Sequence, residues 1–205
     1  MGGTLVGDVA TSACDGLSNR GSSGYWDEMI SNHARLAALL SAIVAAAALR
    51  LVPHPPNFSP IDAMALFSGA YLGRRAIAFV APLAALLLSD AVLGFYHGMA
   101  TVYATVALIV VIGWALASRR TPLRVGAAAL ASSVTFFVIT NFGMWLFSGI
   151  YPVTAQGLAA CYAAAVPFFQ NTVAGDFFYT VLLFGGFALA QQLMPRLRAG
   201  EQQPA

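Results

Sequence analysis

Residues 119–147 read RRTPLRVGAAALASSVTFFVITNFGMWLF. Three arginines within six positions are followed by 23 residues, 125–147, without a charged side chain. As a helix rising roughly 1.5 Å per residue that run is about 34 Å long, enough to cross the roughly 30 Å of hydrocarbon in a bilayer. A basic cluster beside such a run marks the cytoplasmic end of a membrane span.

Working outward, the same pattern recurs. Span 1 covers residues 34–52 and ends at Pro53, where the stretch Pro53-His54-Pro55-Pro56-Asn57 cannot continue a helix. Span 2 is short, residues 60–72, with Pro60 suited to a first helical position. Arg74 and Arg75 separate it from span 3, residues 76–95, and span 4 follows over residues 99–118. Span 5 is the opening stretch, residues 125–147. Residues 155–166 make only about three helical turns and read as an amphipathic or re-entrant segment, and span 6 starts near Asn171 and stops before Pro195.

Composition agrees with this reading: 59% of residues are hydrophobic and 9% charged, and the mean hydropathy is +0.75. That leaves too little polar surface to cover a soluble globule. The expected fold is an all-α integral membrane protein with six transmembrane helices over residues 33–198. Residues 1–32, rich in Gly, Ser and Asp and without a basic segment leading into an apolar core, are expected to be disordered. Residues 199–205 form a tail, and Met29 is a second candidate for the start of the product.

All ten basic residues are arginines. With six spans, Arg20, Arg35, Arg74, Arg75, Arg119, Arg120, Arg124, Arg196 and Arg198 fall on one side and Arg50 alone on the other. Basic residues favour cytoplasmic loops, so both termini are assigned to the cytoplasm of a bacterial inner membrane. Arginines at helix ends, with no basic stripe interleaved with aromatics, give no reason to expect nucleic acid.

This topology gives each intramembrane polar residue a depth. Asp62, Asp90 and Asp176 all fall in the outer third of their spans, and Asn141 and Trp145 share one face of span 5. An ionised side chain facing lipid is costly, so such groups face a cavity, a partner or a ligand. The expectation is an outward-open substrate pocket formed by Asp62, Asp90, Asn141, Trp145, Asn171 and Asp176. The competing reading is interhelical hydrogen bonding or helix capping, as Asp62 after Pro60 and Asn171 before span 6 allow, with Trp145 and Tyr151 in an aromatic belt. A second pattern is small: Ala34, Ala38, Ala42 and Ala46 recur every four residues in span 1, as do Gly69 and Gly73 around span 2. Such stripes let another helix approach closely.

Several chemistries are excluded. The chain has no lysine, hence no GxxxxGK[ST] phosphate loop and no Schiff base with pyridoxal phosphate. HExxH and GxSxG are absent. Cys14 and Cys161 make neither a disulfide framework nor a zinc site, and Cys161 is read as a small apolar packer. No cofactor, no metal and no enzymatic activity are expected. Asp90 with Asp176 of Gly175-Asp176 is the one arrangement that would suit an intramembrane aspartyl hydrolase.

Six spans, cytoplasmic ends, an outer pocket and the alanine stripe resemble the substrate-binding S component of energy-coupling-factor vitamin transporters. The segments NFSPIDAMALF at 57–67 and PFFQNTVAGD at 167–176 likewise resemble bacterial membrane proteins grouped as S-component-like. The resemblance implies capture of a small nutrient, a vitamin or its precursor. It also implies docking through Ala38 and Ala42, flanked by Ala34 and Ala46, onto a coupling transmembrane subunit served by ATPase subunits. Gly2 and Gly3 do not match the N-terminal histidine of the metal-specific type. The alternative function is a structural membrane subunit without transport.

The arginine count generates a direct test. Single cysteines at Gly98 and Tyr151 are expected to react with an impermeant thiol reagent added to intact cells, and one at Thr121 is expected to stay unlabelled. Labelling at Thr121 would reverse the orientation.

Overall fold

The computed structural model describes residues 29–198. Among them the structure is all-α, with six helices: α1 (Met29–Leu49), α2 (Ile61–Leu72), α3 (Ile77–Leu93), α4 (Met99–Trp114), α5 (Pro122–Phe147) and α6 (Ala155–Leu193). α6 contains a π-helical turn at Val181–Gly185, and a 3-10 turn follows at Pro195–Leu197. Residues 29–32, expected to be disordered, are the first turn of α1. The rest of the N-terminal segment and residues 199–205 lie outside the described residues.

Two compact units divide the chain. The described part of the smaller unit comprises residues 29–38 and 190–198, where Ser31 Oγ donates to Arg196 O at 2.8 Å and Arg198 Nε to Gln191 O at 3.0 Å. The larger unit is a helix bundle over residues 39–189.

Sequence sets the helix ends locally. Thr121 and Thr154 are extended N-caps whose side chains accept from Arg124 N and Gly157 N, and Pro122 takes the first position of α5. Gly94 stops α3 at φ 99° and Gly98 precedes α4 at φ 89°, a region that side chains with a Cβ avoid.

The bundle is organised around α2. Every residue of this 12-residue helix except Tyr71 is buried, and it touches α3, α4, α5 and α6. A helix apolar on all sides belongs inside a bundle. Its closest neighbour is α4, because Gly69 and Gly113 meet at the crossing. A Cβ on Gly69 would lie 2.0 Å from Val110 O, and one on Gly113 would lie 2.5 Å from Leu66 O. The Gly69 stripe thus serves a crossing within the chain. Side chains meet the orphan carbonyls at the end of α2: Arg120 Nε donates to Ala70 O at 3.1 Å and Trp114 Nε1 to Gly73 O at 2.7 Å. Arg120 also stacks over the Tyr71 ring at 4.4 Å.

α1, α5 and α6 are long and apolar enough to cross a membrane, yet only 22% of the most apolar stretch of α1 and of α5 is buried. Val44, Leu88, Val92, Val134, Phe178 and Val181 lie exposed on the helix surfaces. Outward apolar surface on this scale fits lipid as the surrounding medium. α2, α3 and α4 have 12, 17 and 16 residues. About 18 Å of α2 falls short of the hydrocarbon thickness, a mismatch that a helix enclosed by protein tolerates.

One element differs from the sequence reading. The segment 155–166 and span 6 are a single helix that runs through Pro167. Proline removes one backbone hydrogen bond, but packing on both sides of it can hold a helix together. Phe137 of α5 supplies that packing, stacking on Tyr162 before the proline at 5.7 Å and on Phe169 after it at 4.8 Å. α1 is helical to Leu49, and residues 50–52 continue in tight turns.

The α2–α4 crossing predicts a graded response to added methyl groups. Gly69→Ala and Gly113→Ala each force backbone apart and are expected to cost about 1–3 kcal/mol. Gly126→Ala, whose Cβ would meet only Phe177 at 3.7 Å, is expected to be neutral or stabilising through helix propensity. Unfolding midpoints in detergent check the ranking; equal midpoints for all three variants would contradict it.

Candidate ligand cavity

The loop from Pro53 to Ser59 delivers the chain into α2. Asn57 turns it with φ 62°, Phe58 N donates to Pro55 O at 3.0 Å, and Asn171 Nδ2 of α6 donates to Pro56 O at 3.0 Å. Gly175 lets α6 lie close beneath, since a Cβ there would come within 3.0 Å of Ser59 N. This approach brings Asp176, one residue further, to the start of α2.

Asp62 stands in the first turn of α2, where the helix dipole favours an acid. It is 3% exposed and Asp176 is 2% exposed. Their carboxyl groups face each other within hydrogen-bonding reach. Asp176 Oδ2 also accepts from Ser133 Oγ of α5. Two polar atoms at this corner, Asp62 Oδ1 and Ser59 Oγ, are buried without a hydrogen-bond partner. An unmet buried acceptor costs about 1–3 kcal/mol.

Both residues border a cavity of about 400 Å³ in the larger unit, lined also by Arg50, His54, Asn57, Tyr96, Val102, Phe136, Thr140, Asn141, Met144, Thr172 and Asp176. Thr140 Oγ1 and Asn141 Nδ2 donate back to Phe136 O and Phe137 O at 2.7 and 2.8 Å. The Asn141 amide oxygen is left as an acceptor for other donors. A second cavity of about 210 Å³ shares Tyr96, Val102, Thr140 and Met144 with the first and extends to Gly143, Phe147 and Ser148. The two cavities adjoin across these four residues; the first mixes polar and apolar side chains, and the second, hereafter the annex, is nearly all apolar.

The cavity's arginine is already engaged. Arg50 forms an ion pair with Asp90, whose side chain is fully buried, and Nη1 donates to Ser89 Oγ at 2.7 Å. Tyr103 OH donates to the other Asp90 oxygen at 2.9 Å. Both carboxylate oxygens are thus satisfied, the condition under which a buried ion pair is tolerated. Tyr96, in the α3–α4 loop, contributes a phenol that burial, assisted by the Asp90 charge, pushes up from its ordinary value, so it is a neutral hydroxyl at physiological pH.

Of the six residues expected to form the pocket, the structure places Asp62, Asn141 and Asp176 in the cavity wall. Asp90 sits behind Arg50, outside the wall. Trp145 donates to Pro152 O at 3.0 Å and Asn171 to Pro56 O, both fixing loops. The hydrolase arrangement of Asp90 with Asp176 does not form, because Asp90 is paired with Arg50 and Asp176 faces Asp62. In the alanine stripe, Ala34, Ala38 and Ala42 are half-buried and Ala46 is 3% exposed, so the last of them faces packed protein. Cys161 is buried, its thiol donating to Asn141 O at 3.4 Å. Ser59, Tyr96, Ser133, Thr140 and Thr172 escaped the sequence reading. Ser132-Ser133 in the middle of an apolar run was the available signal.

Comparison with curated proteins gives no match, and comparison with solved structures gives none. A family model described as a family of unknown function, DUF6580, matches residues 30–197. The match spans the whole described bundle, and the chain belongs to that family.

Proposed function

We propose that this protein is a six-span bacterial inner-membrane protein that captures a small water-soluble nutrient, a vitamin or vitamin precursor, in the cavity at the start of α2. The observation that carries the reading is a cavity of about 400 Å³ whose apolar wall holds several polar side chains, two of them with unmet oxygens, inside an otherwise apolar helix bundle. Small-molecule sites have this size and this mixture of apolar wall and few polar groups. The cavity lies at the end of α2 remote from Arg74 and Arg75. The arginine asymmetry puts that end on the outer face, where a nutrient arrives.

Energy for uptake comes from elsewhere, since a chain without lysine has no phosphate loop. A coupling transmembrane subunit with its own ATPases fills that role, docking on α1 through Ala38 and Ala42 flanked by Ala34, the half-buried members of the stripe. The resemblance to S components supports this division of labour.

Mass spectrometry of small molecules co-purifying with the protein tests the reading. One compound is expected to be enriched with the parent and depleted at least several-fold from Asn141→Ala and Asp176→Asn. Each of these variants removes one polar partner worth about 1–3 kcal/mol. Arg198→Ala is expected to retain it. Equal recovery from all variants would place the ligand elsewhere, and no enriched compound would oppose capture.

A further inference from the structure

The charge balance of the cavity narrows its ligand class. Arg50 is committed to Asp90, and among the described residues no other basic side chain pairs with an acid there. Asp62 and Asp176 are held without a cation. Two carboxyl groups can share a hydrogen bond only through a proton, so the joined pair carries at most one negative charge. Asp62 and Ser59 line the cavity, and each carries a buried oxygen, Oδ1 and Oγ, with no hydrogen-bond partner.

We propose that the cavity binds an organic monocation: a protonated amine donating to Asp62 Oδ1 and Asp176, with its apolar part in the annex beside Val102 and Met144. The assignment rests on the capture reading above and adds the chemical class. An anion would confront both acids with Arg50 already paired. A transition-metal ion is disfavoured, because no group of three or more His, Cys, Asp or Glu side chains gathers among the described residues. Any inorganic cation would leave the adjoining apolar annex without a role. His54, the remaining ionisable group in the wall, has its Nδ1 3.0 Å from Pro55 O, turned to its own loop. Tyr96 is neutral, and Ser133 and Thr172 offer only hydroxyls to Asp176 and the cavity.

Three matched probes separate the classes: phenethylamine, 2-phenylethanol and phenylacetate share a ring and differ in charge. Binding to the full-length protein in detergent at neutral pH is measured by calorimetry. The amine is expected to bind about tenfold or more tightly than the alcohol, with the carboxylate weakest. Asp62→Asn is expected to erase the preference for amine over alcohol while leaving the alcohol's affinity unchanged. Should that variant fail to fold, the ranking of the probes on the parent protein still decides. An alcohol or carboxylate that binds as tightly as the amine overturns the monocation assignment and leaves capture standing. Absence of binding by all three at millimolar concentration also overturns the assignment. Capture falls with it only when nothing co-purifies with the protein.

Discussion

The structure depends on enclosing α2 on every side. A helix of 12 residues, about 18 Å long, cannot span hydrocarbon alone, so its backbone ends must be satisfied by protein. The Gly69–Gly113 contact brings α4 against it, and Arg120 and Trp114 take up carbonyls at its far end. Its near end is less complete. There Asp62 Oδ1 and Ser59 Oγ are left without donors, and that incompleteness coincides with the polar cavity. A defect in hydrogen bonding placed at a cavity wall is how a binding site differs from a packed core.

Three buried acids fall into two groups that are treated in opposite ways. Asp90 has an arginine, a tyrosine and both oxygens satisfied; removing it would strand the Arg50 charge and threaten folding more than binding. Asp62 and Asp176 have each other and a serine. In an apolar interior the first arrangement is structural and self-contained, whereas the second has capacity for an outside donor. Charge complementarity therefore divides the three acids into one fold element and one candidate site.

Much of this architecture is legible in the chain itself. Six helical segments follow from the apolar runs and their Pro, Gly and Arg punctuation, and the end of α5 at Phe147 agrees with the sequence reading. The junction at Pro167 was not legible, because continuity there depends on Phe137, thirty positions away. That Asp62 stands at the start of α2 and Asp90 near the end of α3 could be read from span boundaries. Which acid meets Arg50 could not, since that depends on how helices rotate about their axes. Asp62, equally suited to capping α2, reaches the cavity because Gly175 admits the preceding loop against α6. The hydroxyl of Thr172 is silent in sequence and Ser132-Ser133 is only a weak signal, as serine and threonine in apolar helices usually bond their own backbone.

The central claim is that α2 holds Asp62 directly against Asp176, and a double-mutant cycle measures that contact. Unfolding free energies of the parent, Asp62→Asn, Asp176→Asn and the double variant are determined in detergent without added ligand. Residues in direct contact are expected to show a coupling energy of about 0.5–3 kcal/mol. Effects that add within roughly 0.3 kcal/mol would mean that the two carboxyl groups do not meet.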